Sequence, residues 1–142
     1  MKLYAGSDHA GFALKQRLIE EARALGHEVI DLGPLAAERV DYPDFGAKVG
    51  QAVAGDLGSL GILCCGSGIG IGIAANKVVG VRAATVWDET SARLCRQHND
   101  ANVISIGERL VAEARAVEML KIFLSTEFEG GRHQGRVDKI DA

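Results

Sequence analysis

Three cysteines are an odd number, and two of them, Cys64 and Cys65, are adjacent, so the chain lacks the even spacing of a disulfide framework. A reducing, cytoplasmic setting is the one such a thiol content fits. No apolar run approaches the ~18 residues a membrane-spanning helix requires. Met1 and Lys2 lead straight into Leu3-Tyr4-Ala5 and the polar Ser7-Asp8-His9, so no secretory signal peptide is expected. Basic charge is not in excess: the net charge of -3 argues against a nucleic-acid footprint. It leaves room for anionic small ligands, because a local group of arginines can override a mild global charge.

Nucleotide and metal motifs are absent as well. From Gly66 a G-x-G-x-x-G fingerprint would need glycine where Ile71 stands, and from Gly68 where Ile73 stands. A Walker A loop needs a Gly-Lys pair, and there is none. Neither HExxH nor paired CxxC occurs, so Cys95 and His98, three apart on one helix, offer at most half a metal site. No cofactor and no metal are expected. Internal repeats, low-complexity tracts and interdomain linkers are missing too.

What is present is one rhythm, repeated over 142 residues. Short apolar strands are expected at Lys2–Gly6, His27–Leu32, Leu60–Cys64, Val81–Val86 and Val103–Ile106. Helices are expected at Phe12–Leu25, from a cap at Asp44 to Ala54, from the glycine loop to Lys77, and at Glu89–Gln97 and Ala112–Leu124. Strands alternating with helices predict a single-domain (1–142) α/β fold, a three-layer α/β/α sandwich around a parallel, Rossmann-like sheet of about five strands. Ligands of such folds bind beyond the carboxyl ends of the strands, where strand order reverses. Four polar segments fall at strand ends: Ser7-Asp8-His9, Cys65-Gly66-Ser67-Gly68, Asp88-Glu89 and Ser105 to Arg109.

Of these, the segment Cys65 to Gly72 is the most informative. It leaves a strand and opens a helix, so its backbone N–H groups can face an anion. A tight turn could explain the glycines alone; Cys65 and Ser67 within the loop favour a site. A thiol near a helix N-terminus is poised to ionise and act as base or nucleophile. Alternation puts Cys64 and Cys65 on opposite faces, and Cys64 and Cys95 read as inert buried thiols. His98 ends a helix beside Asn99 and Asp100, an acid–base candidate and equally a helix cap. His27 reads as a surface residue and His133 as part of a mobile tail. In that tail Arg132 and Arg136, four apart, share one face of a helical turn, a spacing suited to bidentate grip on a phosphate. Gly130-Gly131 would let the segment 125–142 reach a partner subunit, and Arg109 is a third phosphate candidate.

Six ordered segments resemble the B-type ribose-5-phosphate isomerase family, which also holds galactose-6-phosphate isomerase subunits. They are Ser7–Phe12, Asp41-Tyr42-Pro43, Cys65–Gly70, Ala74–Lys77, Arg96–Asp100 and Glu129–Gln134, and the match spans nearly the whole chain. The resemblance implies interconversion of ribose 5-phosphate and ribulose 5-phosphate in the pentose phosphate pathway. It implies a homodimer or dimer of dimers with shared sites, and no cofactor. On that resemblance Cys65 is the base, placing the chain in the family's cysteine branch, His98 opens the furanose ring, and Ser67 relays a proton between O1 and O2. Asp8 and His9 hold the sugar, Arg132 and Arg136 its phosphate with help from Arg109 and Asn99. The amides of Gly66, Ser67, Gly68, Ile69 and Gly70 cradle the enediolate. Other readings are an isomerase of galactose 6-phosphate, allose 6-phosphate or a tetrose phosphate, a cysteine hydrolase or transferase pairing Cys65 with His98, and a non-catalytic sugar-phosphate-binding protein.

Overall fold

The computed structural model describes residues 1–142. In chain order the elements are β1 (Lys2–Ser7), α1 (Phe12–Ala24), β2 (Glu28–Asp31), α2 (Tyr42–Ala54), β3 (Leu60–Cys65), α3 (Ile69–Asn76), β4 (Ala83–Thr85), α4 (Glu89–Asn99), β5 (Val103–Gly107), α5 (Glu113–Ser125) and α6 (Arg132–Asp141). All strand pairings are parallel, in the order β2-β1-β3-β5-β4. The expected five-stranded α/β fold is the one observed.

Parallel strands buried on both faces need apolar side chains throughout, and every residue of β3 and β5 is buried. One face carries the larger core, 22 buried residues drawn from the strands, from α1, α4 and α5, and from the connections at Val86, Ala101 and Val111. Leu18, Phe123 and Leu120 are fully enclosed there, each stabilising by about 1.5–3 kcal/mol. The other face carries eight buried residues beneath α2 and α3. Cys64 belongs to the first core and Cys65 to the second, as strand alternation requires.

Three local expectations are corrected. Helix α2 starts at Tyr42, not after Asp44: Asp41 holds the capping position and Pro43 lies in the first turn. Proline suits that turn because its missing N–H would find no partner there in any case. Strand β4 shrinks to Ala83–Thr85 on the sheet edge; before it, the Arg82 N–H donates to the Asn102 side chain at 2.8 Å instead of joining a ladder. His27 is half-buried rather than at the surface, and burial holds its imidazole below the usual range.

Strand order reverses beside β1: the chain moves from β1 outward to β2, then returns to place β3 on the other flank of β1. The residues leaving the carboxyl ends of β1 and β3 therefore meet at the switch point. They are Asp8 and Cys65.

Candidate active site

Cys65 ends β3 and lines an open cavity of about 580 Å³ together with Tyr42, Gly66, Ser67, Ile69, Gly70, Ile73, Arg109 and Leu110. Its sulfur accepts a hydrogen bond from the Gly68 N–H at 3.1 Å. That contact depends on Gly68 adopting φ 75°, left-handed backbone that a side chain would strain. A Cβ there would also stand 2.8 Å from the Ile106–Gly107 backbone. Two hydroxyls lock the turn from below, since Ser105 Oγ and Thr85 Oγ1 both donate to the Gly68 carbonyl, at 2.6 and 3.0 Å.

The loop's donors divide into two groups. The Gly68 N–H is spent on Cys65 and the Ile69 N–H on Ser67 Oγ at 3.2 Å. Those of Gly66, Ser67 and Gly70 have no acceptor within the protein. Of the five amides that the resemblance implies, three are therefore free of protein acceptors and two are shared with side chains of the loop itself. Arg109 follows β5 and folds back over the loop, held where its own N–H donates to the Gly66 carbonyl at 3.0 Å. Its guanidinium would lie 3.1 Å from a Cβ on Gly66 and makes no salt bridge.

Asp8 follows β1, only 7% exposed, and its Oδ1 accepts from the Gly11 N–H at 3.0 Å. His9 is exposed; its Nδ1 accepts from the Val40 N–H at 3.3 Å, which leaves Nε2 as the ring's donor. Asp88, also at a strand end, is taken up by structure. It caps α4, accepting from the Ser91 N–H at 2.7 Å, and that bond and the Ser91 hydroxyl hold its carboxyl below the usual range.

The other two thiols belong to the larger core. Burial, reinforced by negative charge at Glu108, pushes the Cys64 thiol well up, and burial pushes Cys95 up to about 11. Cys95 Sγ donates to the Ala92 carbonyl at 3.2 Å.

His98 and Asn99 are placed elsewhere. Helix α4 begins beyond the carboxyl end of β4 and runs back for 11 residues, about 16 Å, to deliver them to the amino edge of the sheet. The register makes this plain: Val103, four residues past Asn99, lies beside Gly61 at the start of β3, whereas Gly107 lies beside Cys65 at its end. Within one chain Cys65 and His98 therefore stand at opposite edges. An intrachain Cys65–His98 pair, the hydrolase or transferase reading, has no geometric basis.

Arg132 and Arg136 join this second group. They lie on α6, exposed and free of salt bridges, and α6 packs on α4. His133 is not in a mobile tail. It is 6% exposed and its ring stacks on His98, centroids 4.3 Å apart at 14°. Its imidazole is held below the usual range by burial first, then by His98 and Arg132.

Three contributors went unassigned in the sequence. Tyr42 packs its ring on the Gly70 backbone, where a Cβ would meet Cε1 at 2.5 Å. Glu108 Oε1 accepts from the Leu14 N–H at 2.7 Å and ties α1 to the end of β5. Glu129 lies 3.4 Å from His133 and 3.9 Å from His98. An aromatic just before a helix-opening proline was the one available signal, for Tyr42.

The sequence model described as Ribose/Galactose Isomerase matches residues 3–140. Ribose-5-phosphate isomerase B of Escherichia coli K12 is 46% identical over 141 residues, covering 99% of this chain and 95% of that protein. The structure of Clostridium thermocellum ribose-5-phosphate isomerase B is 48% identical with a TM-score of 0.96, covering 99% of this chain and 95% of that one. Ribose-5-phosphate isomerase B from Mycoplasma genitalium, solved with bound ribulose-5-phosphate, is 43% identical with a TM-score of 0.96, covering 99% and 93%. With its fold and nearly its whole length in common with these proteins, the chain belongs to the ribose/galactose isomerase family.

Proposed function

We propose that this protein is an aldose–ketose isomerase interconverting D-ribose 5-phosphate and D-ribulose 5-phosphate, with Cys65 as the base. The observation that carries the reading is the contrast among thiols: Cys65 alone lies on the glycine loop and receives a backbone N–H, while Cys64 and Cys95 sit in the opposite core with their thiols pushed up by burial.

The chemistry follows from the donors. Once the furanose is open, the Cys65 thiolate takes the proton from C2, and the electrons move into an enediolate. The free N–H groups of Gly66, Ser67 and Gly70 face the developing oxyanion, and one such preorganised donor is worth roughly 100- to 1,000-fold in rate. The Ser67 hydroxyl passes a proton between O1 and O2, and the thiol returns its proton to C1. Asp8 and His9 hold the sugar hydroxyls beside the loop.

Ring opening and phosphate binding are assigned to His98, Asn99, Arg132 and Arg136 of a second copy of the chain. The opposed edges support this: no single chain can bring those residues to its own Cys65. Ile69, Ile73 and Leu110, all more than half exposed around the cavity, form an apolar rim suited to a partner's surface. The active unit is then a homodimer, or a dimer of dimers, and segment 125–142 completes the partner's site.

A panel of pentose, hexose and tetrose phosphates tests the assignment. The highest kcat/KM is expected for ribose 5-phosphate, with solvent deuterium washed into product carbon. Greater efficiency on galactose 6-phosphate, allose 6-phosphate or a tetrose phosphate would replace the substrate. Tight binding without deuterium exchange would instead make the protein a sensor.

A further inference from the structure

One cluster of metal-ligating atoms stands apart from the Cys65 cavity. His98, Glu129 and His133 each present a ligand atom, all within 4.8 Å of one another. His133 Nε2 is buried and has no hydrogen-bond partner, although Glu129 Oε1 is only 3.4 Å away. A buried polar atom left unpaired typically costs about 1–3 kcal/mol. A cation on its lone pair would satisfy it.

We propose that His98, Glu129 and His133 form an inhibitory binding site for a borderline divalent cation, zinc foremost. Two imidazoles and one carboxylate are a zinc ligand set, and they disfavour magnesium, which prefers all-oxygen coordination. The frame is already built. The Glu129 N–H donates to the Gln97 carbonyl at 3.1 Å, fixing Glu129 to α4 next to His98, and the His133 N–H donates to the Gly130 carbonyl at 3.0 Å.

Ligand bonds of 2.0–2.1 Å in a tetrahedral site set neighbouring ligand atoms ~3.4 Å apart. Glu129 already meets that spacing toward His133 and lies within half an ångström of it toward His98, at 3.9 Å. The stacked rings must then open so that the ion lies in both ring planes. His98 can turn to do this, because its side chain is 38% exposed. Glu129, half exposed, leaves the fourth position to water or to an oxygen of the sugar phosphate. Inhibition follows because the ion occupies the imidazole assigned to ring opening, and this consequence alone rests on the proposed function.

The test measures binding before activity. Zinc is titrated into the full-length protein against a chelating dye, alongside Glu129→Gln and His133→Gln. Wild type should bind zinc, and Glu129→Gln, a surface change that spares the fold, should weaken it roughly 10–100-fold. Cobalt in place of zinc should show an N/O-ligated spectrum without a thiolate charge-transfer band. Equal affinity in wild type and Glu129→Gln, or a thiolate band assigning the ion to a cysteine, would overturn the site. Zinc should also slow isomerisation of ribose 5-phosphate reversibly, and Glu129→Gln should resist it. Zinc bound at the three ligands with the rate unchanged would uphold the metal site but overturn its inhibitory role and the assignment of His98 to ring opening.

Discussion

The Gly68 N–H points at the Cys65 sulfur from 3.1 Å, and the φ of 75° at Gly68 makes that approach possible. The relationship places a backbone donor on the thiol that lines the cavity of the glycine loop. The glycine turn and the proposed base are thus built as one unit.

Cys65→Ala should lower kcat by at least ~100-fold, the lower end of what a positioned base supplies, while sugar phosphate still binds. Cys65→Ser should be nearly as inactive, because an alcohol does not supply its conjugate base at neutral pH. Deuterium wash-in should stop in both variants. Iodoacetamide should label Cys65 alone, with sugar phosphate protecting it, since Cys64 and Cys95 are buried with their thiol pKa values pushed up. Mass spectrometry reads the adduct. An active Cys65→Ala enzyme would move the base to a carboxylate such as Asp8.

Asp31→Ala should unfold readily without altering KM in what remains folded. Lys15 is fully buried on α1, its Nζ 2.7 Å from Asp31 Oδ1, and it also donates to the Pro34 carbonyl. Breaking such a pair leaves an uncompensated buried charge, at a cost of about 3–5 kcal/mol. Urea denaturation measures it; a midpoint unchanged from wild type would show that the Pro34 carbonyl alone satisfies Lys15.

Arg132→Ala and Arg136→Ala should each lower kcat/KM for phosphorylated substrate by about tenfold or more, because hydrogen bonds to charged groups are worth ~1.5–3 kcal/mol. Both side chains are exposed, so thermal stability should hardly move. Mixing inactive Cys65→Ala with an inactive Arg132→Ala/Arg136→Ala chain should restore activity, as hybrid dimers carry one intact site. Subunit exchange without recovery would show that each chain builds its site alone.

Exhaustive EDTA treatment should leave isomerase activity intact or raise it, since the proposed proton transfers use protein groups only and the proposed cation inhibits. A loss on chelation, restored by one divalent metal, would overturn both assignments. The steady-state rate before and after dialysis decides.

The strand–helix alternation was legible because it is written in local periodicity: Phe12, Leu14, Leu18, Ile19 and Ala22 repeat at helical spacing, and α1 forms there with four of them in the core. Opposite faces for Cys64 and Cys65 follow from the two-residue repeat of a strand. The glycine loop could be recognised by its place between a strand and a helix. Helix starts and edge-strand lengths were less legible: Pro43 falls in the first turn of a helix starting at Tyr42, and a bond to distant Asn102 keeps Arg82 out of β4.

Local order along the chain was enough to specify the fold class, the position of the loop at Cys65–Gly70 and the residue types of the candidate site, since each depends on neighbours a few positions apart. How those residues are shared out depends instead on long-range packing. Strand order arises from pairings between distant segments, such as Ser7 with Cys64 and Gly107 with Cys65. That order unites Asp8 with Cys65, while the direction of α4 carries His98 to the opposite edge. The stack of His133 on His98 is decided the same way: 35 residues of chain separate them, and the packing of α6 on α4 brings them together.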